Sequence, residues 1–180
     1  MTSGIRKPFH SLVYRLGQVR QQLGFVAPLT VEERAEVAAL LPEAAFSLFA
    51  SMLPGDQRHA LRVYQGLQAR GWHERDILTA ALLHDVGKAA GRVPFWTRPV
   101  VVLAKRFAPR LLPRLTDYPV ESSRLPAWRR ALSYAWWHAE VGADLAADVG
   151  LSARAIHYIR MHHRPDSPEL AELHLVDEAS

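Results

Sequence analysis

Apolar residues along the chain recur at three- and four-residue steps almost throughout, the period of an amphipathic helix. Leu12, Leu16, Val19 and Leu23 form one stripe and predict a first basic helix over His10–Leu23. The capping box Thr30…Glu33 opens a second, which stops near Leu41–Pro42. A third, capped by Asp56, is expected to run to about Arg70 and end at Gly71. A fourth spans roughly Glu74–Val86 and ends at Gly87. Six prolines between Gly91 and Pro126 (94, 99, 109, 113, 119 and 126) then exclude continuous helix, leaving room for a short one around Val100–Phe107. Periodicity resumes at Ala127 and carries to about Val149; Ser152 caps a further helix that ends before Pro165, and a last short one begins near Pro168. No run alternates as a strand would, and no Asn-Gly or Asp-Gly hairpin turn occurs. The expected class is all-α.

Composition narrows the chemistry. Of 180 residues, 49% are hydrophobic and 22% charged, a globular balance, and none is cysteine. Disulfides, thiolate metal sites, iron–sulfur clusters and cysteine nucleophiles are thereby excluded. Apolar stretches such as Phe46–Leu53 are too short to span a bilayer, and no apolar segment follows the basic N-terminus as a secretory signal requires. The expectation is a cytoplasmic chain without a transmembrane segment. The net charge of +4 is unevenly spread: Gly91–Arg130 carries nine basic residues against Asp117 and Glu121. A patch of that kind attracts phosphates, nucleic acid or anionic lipid.

The nine histidines matter through their positions. His59 shares the apolar stripe of the third helix with Val63 and Leu67, and His84-Asp85 closes the fourth below Ile77, Ala80 and Ala81. His138 follows Tyr134 and Ala135 and precedes Val141 and Leu145; His162 and His163 follow Ile159; Asp177 sits four residues after Leu173. Five helices thus each turn a His or a carboxylate inward. One inward histidine is ordinarily a hydrogen-bonded core residue, but five helices doing so together point to a shared centre, because buried charge must be compensated. Imidazole and carboxylate are the ligand types for Fe, Mn, Zn or Ni. His10, His73, His157 and His174 lack such a context and read as surface or supporting groups.

The order His59 … His84-Asp85 … His138 … His162/His163 … Asp177 resembles the HD-domain superfamily of metal-dependent phosphohydrolases. The segment DILTAALLHDVGK (Asp76–Lys88) is similar to that family's defining motif, HAEVGADLA (His138–Ala146) to its third-histidine helix, and YIRMHHRPD (Tyr158–Asp166) to the fourth. The resemblance covers Asp56 to Asp177, about two thirds of the chain. It implies an HD-type helical bundle over 56–180 with a Pro/Arg-rich insert at 91–126, preceded by an N-terminal helical extension over 1–55 that packs on it. It also implies one or two divalent transition metals, with His59, His84, Asp85 and Asp177 as the core ligands. His138 and one of His162 or His163 would serve a second metal, with Asp85 bridging. The Gly-Tyr-Pro signature of the cyclic-di-GMP-degrading branch is absent, Arg164, Pro165 and Asp166 standing there instead.

The implied activity is hydrolysis of a phosphoester or phosphoanhydride in a small nucleotide-like substrate, by metal-bound hydroxide formed as the pKa of bound water falls from 15.7 toward about 7. Asp85 and Lys88 are the catalytic candidates, Lys88 as a point charge on a phosphate or else as a solvated cation near a helix end. The competing reading is a non-catalytic module that senses a nucleotide or metal. Charge alone offers a third, nucleic-acid binding, with no motif behind it. Arg92, Arg98, Lys105, Arg106, Arg110 and Arg114 suit a phosphate-binding lid or a solvated loop; with Trp96, Val100–Leu103 and Phe107 they also suit peripheral contact with anionic lipid. A homo-oligomer is compatible with all of these.

Overall fold

The computed structural model describes residues 26–90, 93–94, 96–108, 110–120 and 124–180. The helix expected over His10–Leu23 lies outside them, as do Arg92 and the neighbouring Gly91. The described residues are all-helical, in eleven helices: α1 (Val31–Leu40), α2 (Glu43–Ser51), α3 (Pro54–Ala69), α4 (Arg75–Leu83), α5 (Val86–Ala90), α6 (Thr97–Phe107), α7 (Leu112–Leu115), α8 (Ala127–Trp136), α9 (His138–Asp148), α10 (Ala153–Met161) and α11 (Pro168–Ala179). None is long and apolar enough to cross a membrane.

Local chemistry explains the starts. The Thr30 hydroxyl accepts from the Glu33 amide and the Glu33 carboxylate accepts from the Thr30 amide, so the capping box closes as expected. Ser152 caps α10 and Ser167 caps α11, each accepting the amide three residues on. Asp56 is not a cap. Leu53 is, with Pro54 at the first helical position, where its fixed φ suits the helix and its missing N–H costs nothing. Asp56 falls in the first turn of α3, near the positive end of the helix dipole.

α4 is the centre of the molecule. Every residue from Ile77 to Leu83 is buried, which fits a helix surrounded on all sides rather than one lying on a surface. It packs between α3 and α10, and α5 continues from it against α9. Leu29, Val37, Leu41, Ala45 and Phe49 from the first part of the described chain join the same apolar cluster as Ile77, Ile159 and Leu173. Gly71, at φ 88°, ends α3 as its position suggests.

Gly87 does not end a helix; it lies within α5. A Cβ placed on it would stand 2.1 Å from the His138 carbonyl oxygen, so the glycine allows α5 to touch the α9 backbone. The expected helix Ala127–Val149 is two helices that meet at Trp137 (φ −100°, ψ 18°), which makes His138 the first residue of α9. In the basic segment Thr97, Leu112, Thr116 and Val120 are buried, whereas Val102, Leu103, Phe107 and Leu111 are exposed, as are Arg106, Arg110 and Arg114.

Candidate metal centre

Burial of α4 on all sides carries its final residues into the interior: His84 and Asp85 form the turn between α4 and α5 and are 1% and 5% exposed. Around that turn converge His59 from α3, Asp177 from α11, His138 from the start of α9, and His162 and His163 from the end of α10. Every residue expected to belong to the site is therefore brought to one place, across as many as 118 residues of chain for His59 and Asp177.

Three histidines are set alike. The Nδ1–H of His84 donates to the Ala81 carbonyl at 2.9 Å, that of His138 to Ala135 at 3.0 Å, and that of His162 to Ile159 at 2.7 Å. A carbonyl only accepts, so each ring carries a proton on Nδ1, and in its neutral form the lone pair is on Nε2. The helix supplies this arrangement cheaply, since the carbonyl three residues back near a helix end is one of those without an amide partner. The Nε2 atoms of His84 and His162 are buried and make no hydrogen bond. Orphaned buried nitrogens are uncommon, and two on neighbouring rings, one of them facing Asp85 and Asp177, are what a cation site would leave.

Spacing agrees. Two atoms each about 2.1 Å from one ion lie roughly 3.0–3.4 Å apart in octahedral or tetrahedral geometry. His84 Nε2 is 3.4 Å from Asp177 Oδ1 and 3.6 Å from Asp85 Oδ2, and His59 Nε2 is 2.8 Å from Asp177 Oδ1. On the other side His138 Nε2 is 3.5 Å from Asp85 Oδ1 and 2.9 Å from His163 Nε2. The ligand atoms of His59, His84 and Asp85 all lie within 4.8 Å of one another, as do those of His138, His162 and His163. Asp85 thus turns one oxygen to each group, the position of a bridging carboxylate. Both His162 and His163 lie in the second group, His162 buried and His163 exposed.

Electrostatics sharpen the division. Burial opposes charge on His84, yet the carboxylates of Asp85 and Asp177 outweigh it and hold its pKa up at about 9. His162 is pushed down to about 3 by burial, assisted by the neighbouring His84 and His163. Burial and the Lys88 ammonium also hold His138 well below its ordinary value. Against the cost of burial, Lys88, His84 and His138 hold Asp85 well below the usual carboxylate range. Again against burial, the hydrogen bond from His59 and the nearby His84 ring do the same for Asp177. A divalent cation bound to these two carboxylates would take the place of the proton they favour on His84.

Lys88 is not a solvated helix-end cation: its ammonium lies 2.6 Å from Asp85 Oδ2. His73 and His157 are exposed, the latter paired with Asp166, as expected of groups outside the site. His174 departs from expectation. It lies with His163 and Asp177, their ligand atoms within 4.8 Å of one another. The clue in the sequence was its spacing, three residues before Asp177 and hence one helical turn away on the same face. Comparison of the chain with protein-family models, curated proteins and solved structures returns no match.

Proposed function

We propose that this chain is a metal-dependent phosphohydrolase of the HD-domain type, acting on a phosphoester or phosphoanhydride of a small nucleotide-like substrate. The observation behind it is the set of three buried histidines that spend Nδ1–H on backbone carbonyls, of which His84 turns Nε2 toward Asp85 and Asp177 and His138 turns Nε2 toward Asp85. Divalent metal held there would lower the pKa of water to near neutrality and polarise a phosphoryl oxygen. His59, His84, Asp85 and Asp177 would hold one cation; His138 and one of His162 or His163 would hold another, with Asp85 between the two. The carbonyl bonds lock the rings, so the ligand atoms are set before any ion arrives, and this preorganisation is what such a site requires.

Lys88 gains a defined part. Its ammonium rests on Asp85 and its side chain is about one quarter exposed. With a cation held by Asp85, the partly exposed Lys88 ammonium would be free to meet a phosphate as a point charge. Lys88→Met is accordingly expected to raise KM for a phosphorylated substrate about tenfold or more, with metal content unchanged. A loss of metal with KM unaltered would make Lys88 a partner of Asp85 alone.

The test is a screen of nucleoside phosphates, dinucleoside polyphosphates and simple phosphodiesters with chain reloaded with Mn, Fe, Zn or Ni. Turnover that needs metal and disappears in His84→Ala is the expected result. The same ion pair favours a second reading, a metal- or nucleotide-sensing module, because Lys88 already places positive charge on Asp85 where a second cation would act. Metal bound at the site with no turnover across the screen would select that reading over the first.

A further inference from the structure

His174 takes no part in the ligand pattern that nominates the inner centre, yet its surroundings are those of a ligand. It leaves α11 on the same face as Asp177, one turn earlier. Its Nδ1 is shielded from solvent and has no hydrogen-bond partner, while its Nε2 faces Glu178 Oε1 at 3.6 Å. A carboxylate beside Nε2 favours the proton on that nitrogen and so leaves the lone pair on the shielded Nδ1. A shielded lone pair is costly unless a donor or a cation meets it.

Asp177 can supply the charge. His59 and His84 both approach its Oδ1, and a carboxylate has a second oxygen to offer. His163 completes the group. Its ring lies 2.9 Å from His138 through Nε2 and is exposed, whereas His84, His138 and His162 are buried. The three ligand atoms fall within 4.8 Å of one another, compact enough for one ion.

We propose that His163, His174 and Asp177 hold an additional divalent cation at the rim of the site, of the borderline kind that imidazole and carboxylate favour, such as Mn, Fe, Co, Ni or Zn. The inference extends the metal-centre reading, with which it shares Asp177, and does not depend on hydrolysis; the single lone pair of a neutral His163 goes to this ion and leaves the inner one to His138 and His162. Two neutral imidazoles and one shared carboxylate in partly open surroundings bind more weakly than the buried ligands within, so this ion exchanges with solvent more readily. Glu178 acts through His174, holding the ring in the tautomer that presents Nδ1.

The experiment is a titration of the full chain, stripped with chelator, with Mn(II) alone, following free Mn(II) by electron paramagnetic resonance. Wild type is expected to bind one equivalent more than His174→Ala or His174→Gln, the missing equivalent belonging to a class at least tenfold weaker than the rest. Asp85→Asn, conversely, is expected to keep that weaker class while losing the tighter one. His174 is about one third exposed, and the glutamine variant guards against a trivial loss of structure. Equal numbers and affinities of Mn(II) in wild type and in both His174 variants would overturn the proposal. Weak binding that depends on His174, in a chain that hydrolyses nothing, would leave this inference standing and remove the phosphohydrolase reading. Hydrolysis in a chain whose Mn(II) binding ignores His174 would do the reverse.

Discussion

Asp85→Asn is expected to lose metal retention and hydrolysis together, with activity falling at least a thousandfold. The substitution keeps shape but removes the charge that both histidine groups face, His84 at 3.6 Å from one oxygen and His138 at 3.5 Å from the other. It also leaves the Lys88 ammonium, now 2.6 Å from that carboxylate, without its anion. Stability supplies a second readout. A cation at 1,000 times its Kd stabilises the folded chain by about 4 kcal/mol, which raises Tm by roughly 8–16 °C in a protein of this size. Wild type is expected to show that rise on metal addition and its reversal by chelator, and Asp85→Asn to lose it at metal concentrations below those that fill the weaker His174 class. A rise of wild-type size at low metal that survives in Asp85→Asn would mean the cation sits elsewhere.

Gly87→Ala is expected to be the most destabilising single methyl in the described residues near the site. The added Cβ would lie 2.1 Å from the His138 carbonyl oxygen, 2.8 Å from the Gly142 nitrogen and 2.9 Å from the His138 carbonyl carbon. All three are backbone atoms, so no rotamer change relieves the clash, and α5 must move away from α9. Ordinary overpacking costs about 1–3 kcal/mol; a backbone collision belongs at about 3 kcal/mol or beyond, or roughly 6–12 °C in Tm. The same shift separates Asp85 from His138, so metal affinity falls with stability. At Gly142 the nearest atom to an added Cβ is 3.3 Å away, and Gly142→Ala should cost much less. Chemical denaturation of the two variants side by side measures the contrast. A wild-type midpoint for Gly87→Ala would show that the two helices are not in backbone contact there.

The two variants probe different parts of what could be read in advance. Asp85 was nominated by its residue type and neighbour, and the structure places it among the groups expected. Gly87 was read as a helix stop because glycine after a periodic run usually is one. Its actual role, allowing two backbones to touch, involves residues more than fifty positions away. α2 was missed for a related reason: Pro42 starts it without a side-chain cap, and its apolar face pairs with residues the local pattern does not contain. The division at Trp137 was likewise invisible, because apolar spacing continues through it.

The sequence by itself determined the helical class, several helix starts, the absence of thiol chemistry, and the residue types and order of the inner histidine and aspartate cluster. Those properties are local: a 3.6-residue period states which face a side chain leaves, and a hydroxyl three residues from an amide states where a helix begins. Only the tertiary structure decided that Asp85 turns one oxygen to each histidine group, that Lys88 rests on that carboxylate, and that His174 joins His163 and Asp177. Each of these is a distance between helices, set by how buried faces pack. Periodicity constrains direction around one helix axis and says nothing about the separation of two.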